Sequence, residues 1–241
     1  SLQRMEYMAS LAEKYQAPCY MHCCETKTEV EGCIERHGLT PPQLLDRMGL
    51  FRYGGGGFHC VWMSQEDIEL FARKGIYAVT NPASNVKLAS GIAPVDKLLA
   101  AGVPMAIGTD GAASNNALDM FREMSLACVL QKLRREDAAA CPAADILYAA
   151  CSAGARAMGL PDCDCLAPGK YADLAVIDLS RPSMRPIIAP AENLVYSGSK
   201  DCVRLTMVAG RILYENGEFH VGESAERIIS EAEKYTKELI A

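Results

Sequence analysis

Hydrophobic positions along the chain change their period several times, and each change marks an element. Leu2, Met5, Met8, Leu11, Ala12 and Tyr15 recur at helical spacing and predict a helix over residues 2–16. A short apolar run from Pro18 to Met21, ending in His22, reads as a strand. A polar helical stretch from about Thr26 to His37 follows, with a second short helix after Pro41-Pro42. The glycine-rich segment Gly54 to Phe58 reads as a strand ending in His59. Ser64 suits the N-cap of a helix that turns Ile68, Leu70 and Phe71 inward. Ile76 to Thr80 is the next strand, ending at Asn81-Pro82. Then come a helix over about Val95 to Ala101, a strand from Met105 to Gly108 ending in Thr109-Asp110, and a helix over about Leu118 to Arg135.

Four strand–helix units in succession predict a parallel sheet with right-handed crossovers. Three of the four strands end in a residue able to bind metal or move protons: His22, His59 and Asp110. In a (β/α)8 barrel the chemistry sits at the C-terminal ends of the strands; in an open doubly wound sheet it sits at a switch point. Polar catalytic types at successive strand ends favour the barrel, and four units make half of one. After residue 142 the pattern changes. Ala143 to Met158 reads as one helix, with Pro142 suited to its first turn. Gly169-Lys170 introduces an apolar run, Tyr171 to Leu179, followed by a proline-containing loop. Val203 to Val208 and Arg211 to Tyr214 flank Ala209-Gly210 as a hairpin, with Asn216-Gly217 as a further turn. Ser224 to Ile240 places Ile228, Ile229, Ala232, Tyr235 and Leu239 on one face of a last helix. The fold expected is α/β: part of a TIM barrel over residues 1–160, part of a small β-sandwich over 161–222, and a C-terminal helix over 223–241.

Composition narrows the function classes. Of 241 residues, 50% are hydrophobic and 22% charged, which suits a globular protein with a sizeable core. A net charge of −6 gives no attraction to nucleic acid or to an anionic membrane. The longest apolar runs are strand-sized, against the roughly 20 residues a membrane span needs. No basic segment followed by an apolar run marks a secretory signal. The cysteines number 11, an odd count, and most fall inside predicted strands and helices. A core of this size needs no disulfide framework, so they read as small buried hydrophobes in a reducing cytoplasm. Cys163-Asp164-Cys165, with no second pair and no nearby His, reads as a loop.

Glu25 follows His22 by three residues, so both can lean over one cavity. Two histidines, a carboxylate ligand and a free Glu are what metal-assisted hydrolysis asks for. A metal lowers the pKa of its water to about 7, and proton carriers contribute about 10²–10⁴-fold each. Taken singly, each residue has an ordinary reading. A strand-end His is commonly a satisfied side chain, and an Asp after Gly-Thr is commonly a turn or helix cap. His37 and His220 fit such readings. The joint placement of His22, His59 and Asp110 at strand ends does not follow from them.

The stretches His22-Cys-Cys-Glu25-Thr26, Phe58-His59-Cys60-Val61-Trp62, Asn81-Pro-Ala-Ser-Asn85-Val-Lys87-Leu-Ala-Ser-Gly-Ile-Ala-Pro94 and Gly108-Thr-Asp110-Gly-Ala-Ala-Ser114 resemble the amidohydrolase superfamily. Within it the chain is most similar to the branch of S-adenosylhomocysteine and methylthioadenosine deaminases and related chlorohydrolases. Pro168-Gly-Lys-Tyr-Ala-Asp173-Leu-Ala-Val-Ile-Asp178 resembles the return of that family into its β-sandwich. The resemblance implies that His22 and Asp110 are metal ligands and that Glu25 protonates a ring nitrogen of the substrate. It implies that His59 polarises or orients the hydrolytic water and that Asp110 accepts its proton. Ser114 is placed either near the purine or nucleoside or as a helix N-cap, and the Asn81–Pro94 loop forms a pocket wall. One divalent metal is implied, zinc first and iron as the alternative. The implied substrate is a small heterocycle that loses ammonia, or chloride in the dechlorinating relatives. The chain departs from the family in lacking an H-x-H, the first four barrel strands and the N-terminal part of the β-sandwich. Family members carry two further ligands in an H-x-H at the end of the first barrel strand, whereas the histidines here are His22, His37, His59 and His220. The expectation is therefore a C-terminal portion that pairs with another copy or with an H-x-H-bearing half. Three readings stand: a deaminase active as the complete enzyme, an s-triazine chlorohydrolase, or a non-catalytic half.

Overall fold

A computed structural model describes residues 2–240. Residues 1 and 241, at which two of the expected segments end, lie outside the described residues. The chain begins with α1 (Leu2–Tyr15), β1 (Cys19–Cys23), α2 (Lys27–His37) and α3 (Pro41–Arg47). It continues through β2 (Gly55–His59), α4 (Gln65–Lys74), β3 (Tyr77–Thr80), α5 (Pro82–Lys87), α6 (Val95–Ala100), β4 (Met105–Ile107) and α7 (Met120–Arg135). The helices stop and start where local chemistry dictates. Thr26 caps α2 by accepting from the Glu29 amide, and Gly38 ends it with φ 67°. Ser64 and Asp67 form a reciprocal capping box on α4, whose last turn carries Arg73 and Lys74 before Gly75.

The four strands β1 to β4 form one parallel sheet in sequence order. Its register sorts the side chains into two faces. Tyr20 and His22 on β1 lie level with Gly56 and Phe58 on β2, and those with Tyr77 and Val79 on β3 and Ala106 on β4. The opposite face carries Cys23, Ala78, Met105 and Ile107 and packs under the helices, with Phe71, Ile68, Leu45, Leu98 and Ile146 fully or nearly fully buried. Burial of each such side chain contributes roughly 1.5–3 kcal/mol. The glycine run in β2 is a packing requirement: a Cβ on Gly55 (φ +122°) would lie 1.9 Å from the Cys19 carbonyl oxygen. The face bearing Tyr20, Phe58, Tyr77 and Val79 opens onto a concavity of about 1040 Å³.

The predicted helix over 143–158 is two helices, α8 (Ala143–Ala150) and α9 (Ser152–Ala157). They are broken at Cys151, whose backbone (φ −110°, ψ −88°) leaves the helical region. The break lets α9 turn across the end of the open face, where Ala157 packs with Val79 and Ala106 and its carbonyl accepts from the Tyr20 hydroxyl. Beyond it come β5 (Leu174–Ile177), α10 (Pro190–Ser197), β6 (Val203–Val208), β7 (Arg211–Glu215), β8 (Glu218–Phe219) and α11 (Ala225–Ile240). Strands β5 to β8 make a second, antiparallel sheet. The architecture is thus a partial barrel joined to a small antiparallel sheet. Two helices in segments read as loops, α5 and α10, both start on a proline, where the missing N–H costs nothing. Cys163 ends a short 3-10 turn, Pro161–Cys163, and the loop after it buries Asp164 against Arg156 and Lys170.

Candidate metal centre

His22 is the penultimate residue of β1 and stands on the open face. His59 ends β2 in register with Cys23, a position whose parity points to the helix-covered face. The backbone corrects this. His59 has φ 72°, in the left-handed region that non-glycine residues rarely adopt. Its ring stacks on that of His22, with centroids 5.2 Å apart and planes 20° apart. Asp110 follows β4 and is also left-handed, at φ 61°. Such backbone costs about 1–3 kcal/mol per residue and persists where its surroundings over-determine it. Two of these residues meet here. The ligand atoms of His22, His59 and Asp110 lie within 4.8 Å of one another.

Each side chain is held by residues that the strand-end pattern does not reveal. His59 is only 2% exposed, and its Nδ1 lies 2.8 Å from the Asn85 amide oxygen. That placement pairs with the tautomer protonated at Nδ1 and leaves Nε2 as the atom facing Glu25. The His59 backbone amide donates to Asn81 Oδ1 at 3.3 Å. Among the described residues Asn85 Nδ2 is buried without a hydrogen-bond partner. Asp110 Oδ2 accepts from Ser84 Oγ at 2.7 Å and from Ser114 Oγ at 2.6 Å. Burial by itself would raise the Asp110 pKa. The Ser114 and Ser84 hydroxyls and the Gly111 amide outweigh it and hold the carboxyl down at about 2. The Asp110 carboxyl is therefore held as the anion.

Glu25 lies in the turn between β1 and α2. Glu29 fixes that turn by accepting from the Cys24 and Glu25 amides at 3.0 and 2.7 Å. One Glu25 oxygen is 3.8 Å from His59 Nε2, and the other accepts weakly from Ser90 Oγ at 3.4 Å. Ser114 is not a helix N-cap: Asp119 caps α7, and the Ser114 hydroxyl is spent on Asp110. The Asn81–Pro94 segment contains α5, which delivers Ser84 to Asp110 and Asn85 to His59. The four sequence-predicted residues His22, Glu25, His59 and Asp110 thus converge, with Ser114 beside them. The sequence pattern assigns no individual role to Ser84, Asn85 or Glu29. For the first two, the signal available was the polar turn Ser84-Asn85 immediately after a strand.

Residues 2–213 match the model of the amidohydrolase family. The chain belongs to that family. This amidohydrolase chain is 41% identical over 239 residues to a 5'-deoxyadenosine deaminase of Methanothermobacter thermautotrophicus, covering 99% of the chain and 54% of that protein. It is 44% identical over 218 residues to a 5-methylthioadenosine/S-adenosylhomocysteine deaminase of Nitratidesulfovibrio vulgaris, covering 90% and 49%. Among solved structures, an adenosine deaminase from Xanthomonas campestris with bound zinc superposes with TM-score 0.91 at 34% identity, over 97% of the chain and 53% of that structure. Atrazine chlorohydrolase from Arthrobacter aurescens complexed with zinc gives 0.86 at 26%, over 96% and 51%. The amidohydrolase chain spans about half the length of the curated relatives it matches. Among the described residues, no helix is long and apolar enough to cross a membrane.

Proposed function

We propose that this chain carries the C-terminal part of the active site of a metal-dependent aminohydrolase that removes ammonia from the amidine carbon of an adenosine-type nucleoside. The observation that supports it is the meeting of His22, His59 and Asp110 ligand atoms within 4.8 Å beside Glu25. The donor set fits a divalent cation. Imidazole nitrogen and carboxylate oxygen suit zinc, and an imidazole oriented through its second nitrogen by an amide oxygen is a common support at metal sites. His22 and Asp110 would hold the ion, with His59 turned toward the water. The zinc in the Xanthomonas and Arthrobacter structures supports zinc over iron.

When bound, the cation supplies the positive charge that acidifies water and steadies the charge developing on oxygen. The side chains do the rest. The 3.8 Å between Glu25 and His59 Nε2 is too long for a direct hydrogen bond and leaves room for a shared water or substrate atom. The water oxygen bonds to the amidine carbon while one of its protons passes to Asp110 and the Glu25 proton passes to the ring nitrogen. The exocyclic C–N bond then breaks, and ammonia leaves with the proton held by Asp110. The remaining hydroxyl proton returns to Glu25 as the carbonyl forms. Asp110, acidified by its serines, is a weak base and takes a proton only from water made acidic at the site.

The likeness to atrazine chlorohydrolase supports a second reading, in which the same side chains expel chloride from an s-triazine. The lack of an H-x-H among the four histidines supports a third, in which the chain alone does not turn over substrate. We accordingly assign activity to a closed barrel. The open face of Tyr20, Phe58, Tyr77 and Val79 would be covered by an H-x-H-bearing half or by a second copy. Residues 1–160 would form the barrel part, 161–222 the sandwich part and 223–241 the terminal helix. The test is to assemble the chain with the H-x-H-bearing half of a deaminase relative, load zinc, and measure ammonia from 5'-deoxyadenosine alongside chloride from atrazine. Ammonia release is expected; chloride alone selects the second reading, and neither product overturns the hydrolase assignment.

A further inference from the structure

Glu123 takes no part in the chemistry above, yet it is a fully buried carboxylate, 0% exposed, in the first turn of α7. Its two oxygens serve two different segments. Oε2 accepts from the Ala83 amide at 2.9 Å, in the first turn of α5. Oε1 accepts from Asn115 Nδ2 at 2.7 Å. Each contact is one step from the metal centre. Ala83 precedes Ser84, which donates to Asp110, and Asn85, which holds the His59 ring. Asn115 Nδ2 also donates to the Thr109 carbonyl at 2.8 Å, immediately before the left-handed Asp110. Its Oδ1 accepts from the Ala117 and Leu118 amides, which closes the loop back toward α7. One carboxylate therefore ties together the turns after β3 and β4.

We infer that Glu123 is the positioning residue that sets His59 and Asp110 at their mutual distance before metal or substrate binds. The inference deepens the hydrolase reading and rests on it for the purpose of the site, though not for its geometry. Burying a carboxylate is costly, and two N–H donors with the N-terminal ends of α5 and α7 offset that cost. A neutral apolar side chain would fill the space more cheaply but would leave the Ala83 and Asn115 donors unpaired. Glutamine fails in a specific way. It offers one acceptor and one donor, so an N–H must face either Ala83 or Asn115. Release of Ala83 lets the Ser84-Asn85 turn shift, and the His59 ring then loses its oxygen partner.

The test reads the ring itself, without metal or substrate. In the uniformly 15N-labelled 241-residue chain, imidazole nitrogen shifts report the tautomer of each of the four histidines, with His37 and His220 as internal references. The wild-type chain should show His59 locked in the tautomer protonated at Nδ1. Glu123→Gln should lose that lock and show averaged nitrogen shifts, while His37 and His220 stay unchanged. Leu98→Ala, a core truncation at a site 0% exposed, should lower stability and leave the His59 pattern intact. A Glu123→Gln chain that keeps the wild-type His59 pattern overturns the inference, as does a Leu98→Ala chain that loses it equally. Should Glu123→Gln not fold, hydrogen exchange of the wild-type chain decides. The Ala83 amide should be protected to the level of core amides, and exchange at the rate of an unstructured amide overturns the inference. Failure of the hydrolase reading is seen separately: a Glu123-dependent His59 lock in an assembled barrel that releases no ammonia keeps the positioning role and removes the activity.

Discussion

In the proposed site Asp110 serves as a ligand first and a proton acceptor second, and its hydrogen bonds favour that order. Two hydroxyls aimed at one carboxylate oxygen, at 2.7 and 2.6 Å, stabilise the anion. Hydrogen bonds to charged groups contribute about 1.5–3 kcal/mol each. Ser84→Ala and Ser114→Ala should each raise the Asp110 pKa and weaken zinc binding by the assembled barrel about 10–100-fold, read by competition with a chromophoric chelator. Unchanged affinity in both variants would show that the hydroxyls serve only the loop. His59 and Asp110 also explain what the primary structure conceals. Residue types and strand-end positions are visible in the sequence, so His22, Glu25, His59 and Asp110 can be picked out from it. A positive φ at His59 is not visible, and without it parity would send the ring to the wrong face. The partners Ser84, Asn85 and Glu123 are hidden for a related reason: their roles depend on which turns meet in space.

At the level of elements, the strand–helix alternation is legible because short apolar or glycine-rich runs alternate with segments of helical period. The break at Cys151 is not visible in that pattern, since Ala143 to Met158 is apolar enough to satisfy one helix or two. What fixes α9 is tertiary. Asp164 joins Arg156 on α9 at 2.7 Å and is also paired with Lys170. Lys170 first and Arg156 second hold the Asp164 carboxyl well below the usual carboxylate range. Asp178, hydrogen-bonded by Ser180 and paired with Arg204, is held at about 2. A folded-state pKa below the unfolded value of about 3.9 means stability present above that pH and lost as pH falls through the folded values. Urea midpoints should therefore decline as pH falls from about 4 toward 2, and Asp164→Asn should flatten that decline. An Asp164→Asn profile parallel to wild type would remove the ion pairs from the account. The glycine run makes a sharper demand. Gly55→Ala must find room for a Cβ 1.9 Å from a backbone oxygen at φ +122°. It should cost at least about 2 kcal/mol in urea unfolding. A neutral Gly55→Ala would mean that β1 and β2 separate without penalty.

For the whole molecule, the unfinished surfaces are as informative as the core. Among the described residues strands β1 and β4 each pair on one side only, and the face between them carries Tyr20, Phe58 and Tyr77 half-buried. Helix α11 leaves Ile228, Ile229, Tyr235 and Leu239 exposed. Unpaired strand edges and apolar patches of this kind drive association. Light scattering after size exclusion should show the isolated 241-residue chain self-associating, and a stable, well-behaved monomer would contradict this. The same incompleteness bears on the proposed function, because the site gathers two histidines and two carboxylates in a chain that has no H-x-H. The most direct test is ammonia release from an adenosine-type nucleoside by the zinc-loaded assembled barrel, carrying either the wild-type chain or Asp110→Ala. Steady turnover by the wild-type assembly and background release by Asp110→Ala are expected, whereas equal rates from the two would show that this centre is not where the reaction occurs.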